Sequence, residues 1–252
     1  MYTRTNLTFV MMAPDALSLE VAGLCKSYNG KTAVEDISFS VKPGELFGLL
    51  GPNGAGKTTI LHMLAGVLEP DSGKIRLLGK PFTFRSVAER ASIGFVPQDL
   101  ALYSELTVRE NLRFFGGLYG VPDHTLKLRI DEVLELCDLI DCADQLAQVL
   151  SGGKKRKLNL ALGLIHQPSI LILDEPTVGI DVESRVRVLE NIRSQAKQGV
   201  SVLYATHYLE EIRALCGRVA VLNRGHLVRC FEASNFRFEN IYEDLLSHPA
   251  RQ

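Results

Sequence analysis

A run of glycines, a lysine and two hydroxyl residues in the first quarter of the chain could bind phosphate. It reads Gly51, Pro52, Asn53, Gly54, Ala55, Gly56, Lys57, Thr58 and Thr59, and fits the pattern G-x-x-x-x-G-K-[ST]. In such a loop the backbone N–H groups bind phosphate oxygens, the lysine reaches the terminal phosphates, and the first hydroxyl helps to hold Mg²⁺. Residues 45–50 predict a buried strand before the loop and residues 60–67 a helix after it, a context that a chance Gly-rich turn lacks. The sequence therefore predicts binding of a nucleoside triphosphate.

Two acids follow an apolar run later in the chain. Residues 170–173 read Ile-Leu-Ile-Leu and predict a central strand that presents Asp174 and Glu175 at its end. Beside a phosphate-binding loop, Asp174 would contact Mg²⁺ directly or through water, and Glu175 would orient and deprotonate the attacking water. The alternative is a strand that simply ends in exposed acids, and the phosphate-binding loop makes this less favoured.

A third segment, Leu150-Ser151-Gly152-Gly153, stands immediately before a predicted helix. On its own it is an ordinary helix N-cap, with glycines that permit close approach. Its placement ahead of a helix, shortly before Asp174 in the chain, favours a functional role.

The elements that must position these residues change in character along the chain. Alternating apolar residues before residue 97 predict strands around the phosphate-binding loop. From about 99 to 165 the apolar residues recur with a helical period. A capping box at residues 107–110 predicts the start of a helix, which is expected to end at Gly116 and Gly117. Beyond residue 165 strands and helices alternate, which predicts a largely parallel sheet covered on both faces. The last helix is expected over residues 208–216 with Gly217 as its cap, before a hairpin around residues 223–226.

Composition limits the class of protein. The 252 residues have 46% apolar content and a net charge of −1, which allows a sizeable core and argues against a nucleic-acid partner. The five cysteines form no C-x-x-C pair, which fits a reducing cytosol. No apolar run approaches the roughly 20 residues needed to cross a bilayer. Residues 1–16 are predicted to be a flexible extension; a secretory signal, or a true start at Met11 or Met12, are the alternatives.

Taken in order, these segments resemble the ATP-binding subunits of ABC transporters over nearly all of residues 17–230. The resemblance implies an α/β fold of the P-loop NTPase class: a RecA-like, mostly parallel core sheet, an N-terminal antiparallel β subdomain, and an inserted α-helical subdomain at about 99–165. It implies ATP and Mg²⁺ as cofactors. Residues 17–230 would form the ATP-binding domain, and residues 231–252 a short C-terminal tail.

The resemblance also implies roles for single residues that would be unremarkable alone. Tyr28 corresponds to the aromatic residue that stacks on adenine, and Gln98 to the glutamine that senses Mg²⁺ and the attacking water. His207 corresponds to the switch histidine that contacts the γ-phosphate, although a lone histidine at a helix start is usually a polar surface residue or a cap. Asp181 corresponds to the aspartate that reaches across a dimer.

A mechanism between two subunits follows from the same resemblance. Ser151, Gly152 and Gly153 would complete the ATP site of a second copy or of a paralogous ATPase subunit, so that two ATP molecules join the subunits head to tail. This closure would drive polytopic membrane (permease) subunits between two states, and hydrolysis would release the two ATPase subunits from each other. The membrane subunits would contact residues 99–120 and hold this cytoplasmic chain at the inner face of the plasma membrane.

One departure and several alternatives complete the interpretation. Lys154 stands where the family usually has glutamine, and we expect the charges at 155–157 to point to solvent. Residues 150–161 and 174–185 are most similar to ATPases of bacterial multidrug and antibiotic exporters of the daunorubicin- and linearmycin-resistance type. The alternatives are an ABC importer ATPase, a soluble ABC ATPase of translation or DNA repair, and a nucleotide-dependent switch or small-molecule kinase. The last is disfavoured because no N-K-x-D guanine signature follows the acidic strand.

Overall fold

A computed structural model describes residues 17–84 and 86–233 of the chain. Within these residues the strands are β1 (Leu19–Tyr28), β2 (Lys31–Val41), β3 (Leu46–Leu50), β4 (Ser72–Leu77), β5 (Lys80–Pro81), β6 (Ile93–Val96), β7 (Ile170–Asp174), β8 (Ser201–Thr206), β9 (Arg218–Asn223) and β10 (His226–Glu232). The α-helices are α1 (Lys57–Leu64), α2 (Val87–Arg90), α3 (Val108–Leu118), α4 (Asp123–Leu136), α5 (Gly152–Leu164), α6 (Val182–Lys197) and α7 (Leu209–Leu215). The predicted extension at 1–16 and most of the predicted tail lie outside the described residues, and β10 continues to Glu232, past the predicted domain boundary at 230.

The larger sheet has the strand order β10-β9-β3-β8-β7-β6. Strands β9, β3, β8, β7 and β6 pair in parallel, and only β10 pairs antiparallel, with β9. Every residue of β7 and of β8 is buried, because helices cover both faces of the sheet and apolar side chains fill both of its sides. The carboxyl ends of the parallel strands therefore meet at one edge, where ligands bind in open α/β sheets.

The smaller sheet is antiparallel, with the order β2-β1-β4-β5. Strands β1 and β2 form a hairpin whose two turn residues, Asn29 and Gly30, have φ values of 50° and 78°. An Asn-Gly pair adopts such positive φ values at low cost, which matches the twist of the strands. Phe39 of this sheet stacks on Phe47 of β3 with the ring centroids 5.3 Å apart, so the two sheets share one hydrophobic core with α1. The predicted antiparallel subdomain and parallel core sheet are confirmed.

Helices α3, α4 and α5 form the inserted subdomain. The capping box at the start of α3 is present, with the Thr107 hydroxyl accepting from the Glu110 N–H and the Glu110 carboxylate accepting from the Thr107 N–H. Asn111 is fully buried; its amide donates to the carbonyls of Tyr103, Leu106 and Thr107 and its oxygen accepts from the Tyr103 N–H, which ties the preceding loop to the helix. Helix α5 returns the chain to the core sheet and packs on β6.

Two predicted helix ends are wrong by small amounts. Helix α3 passes through Gly116 and Gly117 and ends at Leu118. Helix α7 ends at Leu215, and Cys216 is already extended, so no left-handed cap forms at Gly217. The Gly217 N–H instead donates to the carbonyl of Leu46 at 3.0 Å, because the chain enters β9 directly beside β3.

Candidate nucleotide-binding and hydrolysis site

The phosphate-binding loop, residues 51–59, leaves the carboxyl end of β3 between β9 and β8 and leads into α1. Gly56 forms the N-cap of α1 with φ of 98°, and a Cβ at this position would lie 2.7 Å from the carbonyl oxygen of Ala33. Only glycine combines this left-handed conformation with such a close approach of two backbones. The first N–H groups of α1 are thereby turned toward the space outside the sheet edge, where they can bind an anion.

Lys57, the first residue of α1, is buried inside this loop. Its ammonium donates to the carbonyls of Gly51 at 2.8 Å and Pro52 at 3.2 Å, and lies 3.4 Å from Oε1 of Glu175. The loop carbonyls thus hold the charge beside the end of β7. The fold therefore places Lys57 next to the end of the acidic strand, as the sequence predicts.

The two predicted acids are buried, with Asp174 1% and Glu175 4% exposed, so the alternative of a strand ending in exposed acids is wrong. Glu175 has a φ of 47°, which is uncommon for a residue with a side chain, and its N–H donates to the carbonyl of Ala205 in β8 at 2.9 Å. Its Oε2 lies 2.8 Å from Nδ1 of His207, which directly follows β8. Lys57, Glu175 and His207 therefore converge from three strand ends.

The chemistry of Asp174 suits a magnesium site. Burial raises the pKa of its carboxyl group, and a hydrogen bond with the side chain of Thr58 partly opposes that shift. Within the described part of the chain, Oδ1 of Asp174 is buried and has no hydrogen-bond partner. A buried, unpartnered carboxylate oxygen beside a threonine hydroxyl fits a hard cation that prefers oxygen ligands. The residues present thus fit the predicted Mg²⁺.

Two adjoining cavities lie over the loop. One, of about 470 Å³, is lined by residues 53–59 together with Ala33, Gln98 and Glu175. The other, of about 520 Å³, shares Ala33 and Gly54 with the first and is also lined by Tyr28, Lys31, Thr32 and Arg224. The predicted Gln98 therefore lines the first cavity and the predicted Tyr28 lines the second. Lys31 and Arg224 were missed by the sequence reasoning, although the turn-forming residues beside them, Gly30 and Gly225, were a usable signal.

The Leu-Ser-Gly-Gly segment, residues 150–153, lies elsewhere. Ser151 and Gly152 are exposed, and neither they nor Gly153 line the two cavities. Ser151 caps α5, and a Cβ on Gly153 would lie 2.9 Å from Cβ of Ser184 and 3.3 Å from Oδ2 of Asp181. Asp181 itself caps α6, accepting from the Ser184 N–H at 2.9 Å. The structure thus brings Gly153 and Asp181 together, apart from the phosphate-binding loop.

The sequence profile of the ABC transporter family matches residues 34–178, more than half of the chain. This chain belongs to that family. It is 43% identical over 210 residues to the linearmycin resistance ATP-binding protein LnrL of Bacillus subtilis, with 83% of this chain and 68% of that protein covered. It is 45% identical over 215 residues to the Nod factor export ATP-binding protein I of Paraburkholderia xenovorans, with 85% and 70% covered. A solved ATP-binding subunit of an ABC transporter superposes with a TM-score of 0.82 at 27% identity, covering 90% of this chain and 99% of that chain.

Family membership settles the class of activity. The chain is an ABC ATPase that binds and hydrolyses ATP, which rules out the alternatives of a nucleotide-dependent switch and a small-molecule kinase. None of the helices within residues 17–84 and 86–233 combines the length and apolar character of a bilayer span.

The charged residues after the Leu-Ser-Gly-Gly segment differ from the prediction. Lys157 is buried and forms an ion pair with Asp138 at 2.8 Å, and Arg156 is half-buried and donates to two backbone carbonyls. The prediction that residues 155–157 point to solvent is therefore wrong for these two, because α5 packs between neighbouring segments and leaves little of its surface free. Lys154, at the position where this ABC ATPase departs from the usual glutamine, forms an ion pair with Asp141 at 2.7 Å.

Proposed function

We propose that this ABC ATPase energises the export of a drug, antibiotic or other small molecule through separate polytopic membrane subunits. The relatives that support this are a linearmycin resistance protein and Nod factor export proteins, which match this chain over more than four fifths of its length. Both names describe proteins that serve export or resistance. An importer ATPase and a soluble ATPase of translation or DNA repair have no support among these relatives.

In the proposed ATP site, Lys57 and the backbone N–H groups of residues 51–59 bind the phosphates, and Tyr28, which lines the adjoining cavity, stacks on adenine. Thr58 and Asp174, with Gln98, would hold Mg²⁺, which when bound would neutralise charge on the phosphates. The buried Oδ1 of Asp174, which has no hydrogen-bond partner among the residues that the structure describes, supports this assignment. The position of Tyr28 in the cavity that adjoins the one over the phosphate-binding loop supports the orientation of the nucleotide.

Glu175 is the proposed general base, and its surroundings carry this assignment. Its carboxylate is buried between the Lys57 ammonium and the His207 imidazole, and it lines the cavity above the phosphate-binding loop. The carboxylate would accept a proton from the attacking water as the water oxygen bonds to the γ-phosphorus, while the bond from that phosphorus to the β–γ bridging oxygen breaks and ADP leaves. His207, beside Oε2, would orient the carboxylate and contact the γ-phosphate.

The single observation that carries the two-subunit mechanism is the exposure of Ser151 and Gly152 away from their own chain's cavities. A helix N-terminus with free donors is suited to bind the γ-phosphate of another subunit. We infer that two copies, or this chain and a paralogous subunit, enclose ATP head to tail. Asp181, packed beside Gly153, would reach across the same interface.

The proposed contact with membrane subunits lies on residues 99–120. This segment exposes Leu100, Tyr103, Phe114 and Leu118, and the rings of Tyr103 and Phe114 meet edge to face with centroids 4.9 Å apart. Grouped exposed apolar side chains on a protein surface mark interaction sites. Through this contact the chain would be a cytoplasmic protein peripheral to the inner face of the plasma membrane.

Substitution of the base tests the two-subunit mechanism. Glu175→Gln removes the proton acceptor but keeps the side-chain size, so we expect ATP binding to persist and turnover to fall at least about a hundredfold. With ATP and Mg²⁺ the variant should elute from size-exclusion chromatography as a dimer and return to a monomer without nucleotide. The control is Glu210→Gln, an exposed carboxylate that should change neither property. Near-normal hydrolysis by Glu175→Gln would contradict the assignment of the base.

The export assignment is tested by recovery of partners. A tagged chain purified from membranes of its own cell should bring down a polytopic membrane protein, identified by mass spectrometry. A matched preparation of Phe114→Asp should lose that protein, because the substitution places a charge in the proposed contact surface. Recovery of ribosomes or DNA in place of a membrane protein would overturn the transporter assignment and favour a soluble ABC ATPase.

A further inference from the structure

One face of α5 contacts the segment that contains Gln98 through two side chains, Arg156 and Asn159. Nη1 of Arg156 donates to the carbonyl of Gln98. The amide of Asn159, which is buried, donates to the carbonyl of Pro97 at 3.1 Å and accepts from the N–H of Ala101 at 3.0 Å. Because residues three apart share a helix face, these contacts hold the backbone on both sides of Gln98 from a single helix.

Arg156 makes a second contact that Asn159 does not. Its Nε donates to the carbonyl of Val178 at 3.2 Å, in the loop between Glu175 and Asp181. The Val178 N–H in turn donates to the carbonyl of Glu175 at 3.2 Å, which closes a tight turn after the proposed base. One guanidinium group therefore joins α5 to the two loops that carry Gln98 and Glu175.

The chemistry of arginine suits this position. A guanidinium group is planar and rigid, and its donors can bind two acceptors in a fixed relative geometry, whereas a lysine ammonium binds as a flexible point charge. Both acceptors are main-chain carbonyls, so Arg156 fixes the course of the two loops without competing for the side chains of Gln98 or Glu175. Its half-burial limits competition from water for these bonds.

We propose that Arg156 is a positioning residue for ATP hydrolysis, which holds the loops of Gln98 and Glu175 in register with the helix that follows the Leu-Ser-Gly-Gly segment. This inference rests on the proposed roles of Gln98 and Glu175. It gives α5 a function within its own chain besides the proposed contact with a second subunit. A displacement of α5 by the other subunit would reach both loops through this one side chain.

The test compares Arg156→Met, which keeps the aliphatic stem but removes all donors, with Lys155→Met, which removes a neighbouring charge that makes no such contact. In the purified full-length chain with saturating Mg²⁺, we expect Arg156→Met to lower kcat for ATP about tenfold. The KM for ATP should change less than about threefold, because the phosphate-binding loop, which binds ATP in the ground state, is unchanged in this variant. Arg156→Lys should be intermediate, because it can satisfy one carbonyl, and Lys155→Met should match the unchanged chain.

A double-mutant cycle with Gln98→Ala separates positioning from simple destabilisation. Gln98→Ala keeps the backbone carbonyl that Arg156 binds but removes the side chain that Arg156 would position. If Arg156 acts through Gln98, Arg156→Met should cost clearly less in kcat in the Gln98→Ala background than in the unchanged chain. Equal costs in both backgrounds, or an unchanged kcat in Arg156→Met alone, would overturn the inference. Should Arg156→Met fail to fold, the same cycle with Arg156→Lys decides.

The outcomes also distinguish this inference from the proposed function. If Gln98→Ala alone leaves kcat unchanged, the proposed role of Gln98 is wrong, and the inference built on it falls as well. If Gln98→Ala slows hydrolysis while Arg156→Met does not, only the positioning role of Arg156 is lost.

Discussion

The phosphate-binding loop and the Leu-Ser-Gly-Gly segment are both loops that lead into a helix, yet their surroundings are opposite. Lys57 is buried, and it is held by two carbonyls of its own loop and by a carboxylate from the end of β7. Ser151 is exposed, and its hydroxyl accepts from the Lys154 N–H of its own helix at 3.4 Å. One loop is enclosed by its own chain, while the other faces outward.

This difference shows which contacts fix the phosphate-binding loop and which fix the Leu-Ser-Gly-Gly segment, the two halves of the proposed site. The loop at β3 is fixed by a parallel sheet, whose strand ends bring distant residues to one edge whatever else is bound. The Leu-Ser-Gly-Gly segment is fixed by α5 and by close packing of Gly153 on the start of α6, while Ser151 and Gly152 are exposed. The first half should therefore bind nucleotide alone, whereas the second half should act only when another subunit presents ATP.

The sharpest way to break this comparison is to remove Lys57. In Lys57→Ala the loop loses its charged donor, and a hydrogen bond to a charged group contributes about 1.5–3 kcal/mol. We therefore expect the Kd for ATP of the monomer to rise about tenfold to a hundredfold. Titration of a dilute sample with a fluorescent ATP analogue would measure it, with Lys74→Ala, an exposed lysine far from the loop in sequence, as the control. Unchanged affinity would mean that the loop is not the phosphate site.

A substitution in the Leu-Ser-Gly-Gly segment should weaken the ATP-induced dimer but leave ATP binding by the monomer unchanged. Ser151→Ala removes a hydroxyl that the monomer does not direct into its own cavities, so ATP binding by the monomer should stay within about twofold. The ATP-induced dimer of a Glu175→Gln background should instead weaken about tenfold, since a donor to the γ-phosphate is lost. Analytical ultracentrifugation with and without ATP would measure this.

Ser151→Thr is the matched control, because threonine keeps both the hydroxyl and the ability to cap α5. It should retain most of the ATP-induced dimer. If Ser151→Ala weakened ATP binding in the monomer as strongly as Lys57→Ala, the two loops would serve the same site within one chain, and the comparison would fail.

Local sequence patterns predicted much of both halves. The glycine and lysine spacing identified the loop, the run of four apolar residues identified β7, and the capping box placed the start of α3 at Val108. In each case neighbouring residues determine the structure, either through a required backbone conformation or through hydrogen bonds a few residues apart. The same holds for the cap at Ser151, which the structure contains.

What the sequence could not reveal depends on contacts between distant segments. The order of strands in the core sheet is one example. Another is the burial and pairing of the charged side chains that follow Gly153. Lys157 belongs to a run that ordinarily lies in solvent, but it is buried, and its ammonium pairs with the exposed carboxylate of Asp138, a residue that precedes α5 in the chain. Arg156 likewise finds carbonyls from two loops that are remote in sequence. Periodicity along one helix carries no information on which segments pack against it.

The smallest expected effect concerns Lys154, the position where this chain departs from the family. Its ammonium is directed to Asp141 at 2.7 Å, at the surface of the helical subdomain, rather than to the cavities over the phosphate-binding loop. An exposed ion pair contributes little to stability, because water screens it. We therefore expect Lys154→Gln to keep ATPase activity within about tenfold of the unchanged chain and to leave the unfolding temperature nearly unaltered. Asp141→Asn, which breaks the same pair from the other side, should give the same result in both assays. A larger loss of activity in Lys154→Gln alone would show that the lysine leaves Asp141 to bind the γ-phosphate of the second subunit, which would make this half of the site more basic than the exposed serine and glycines suggest.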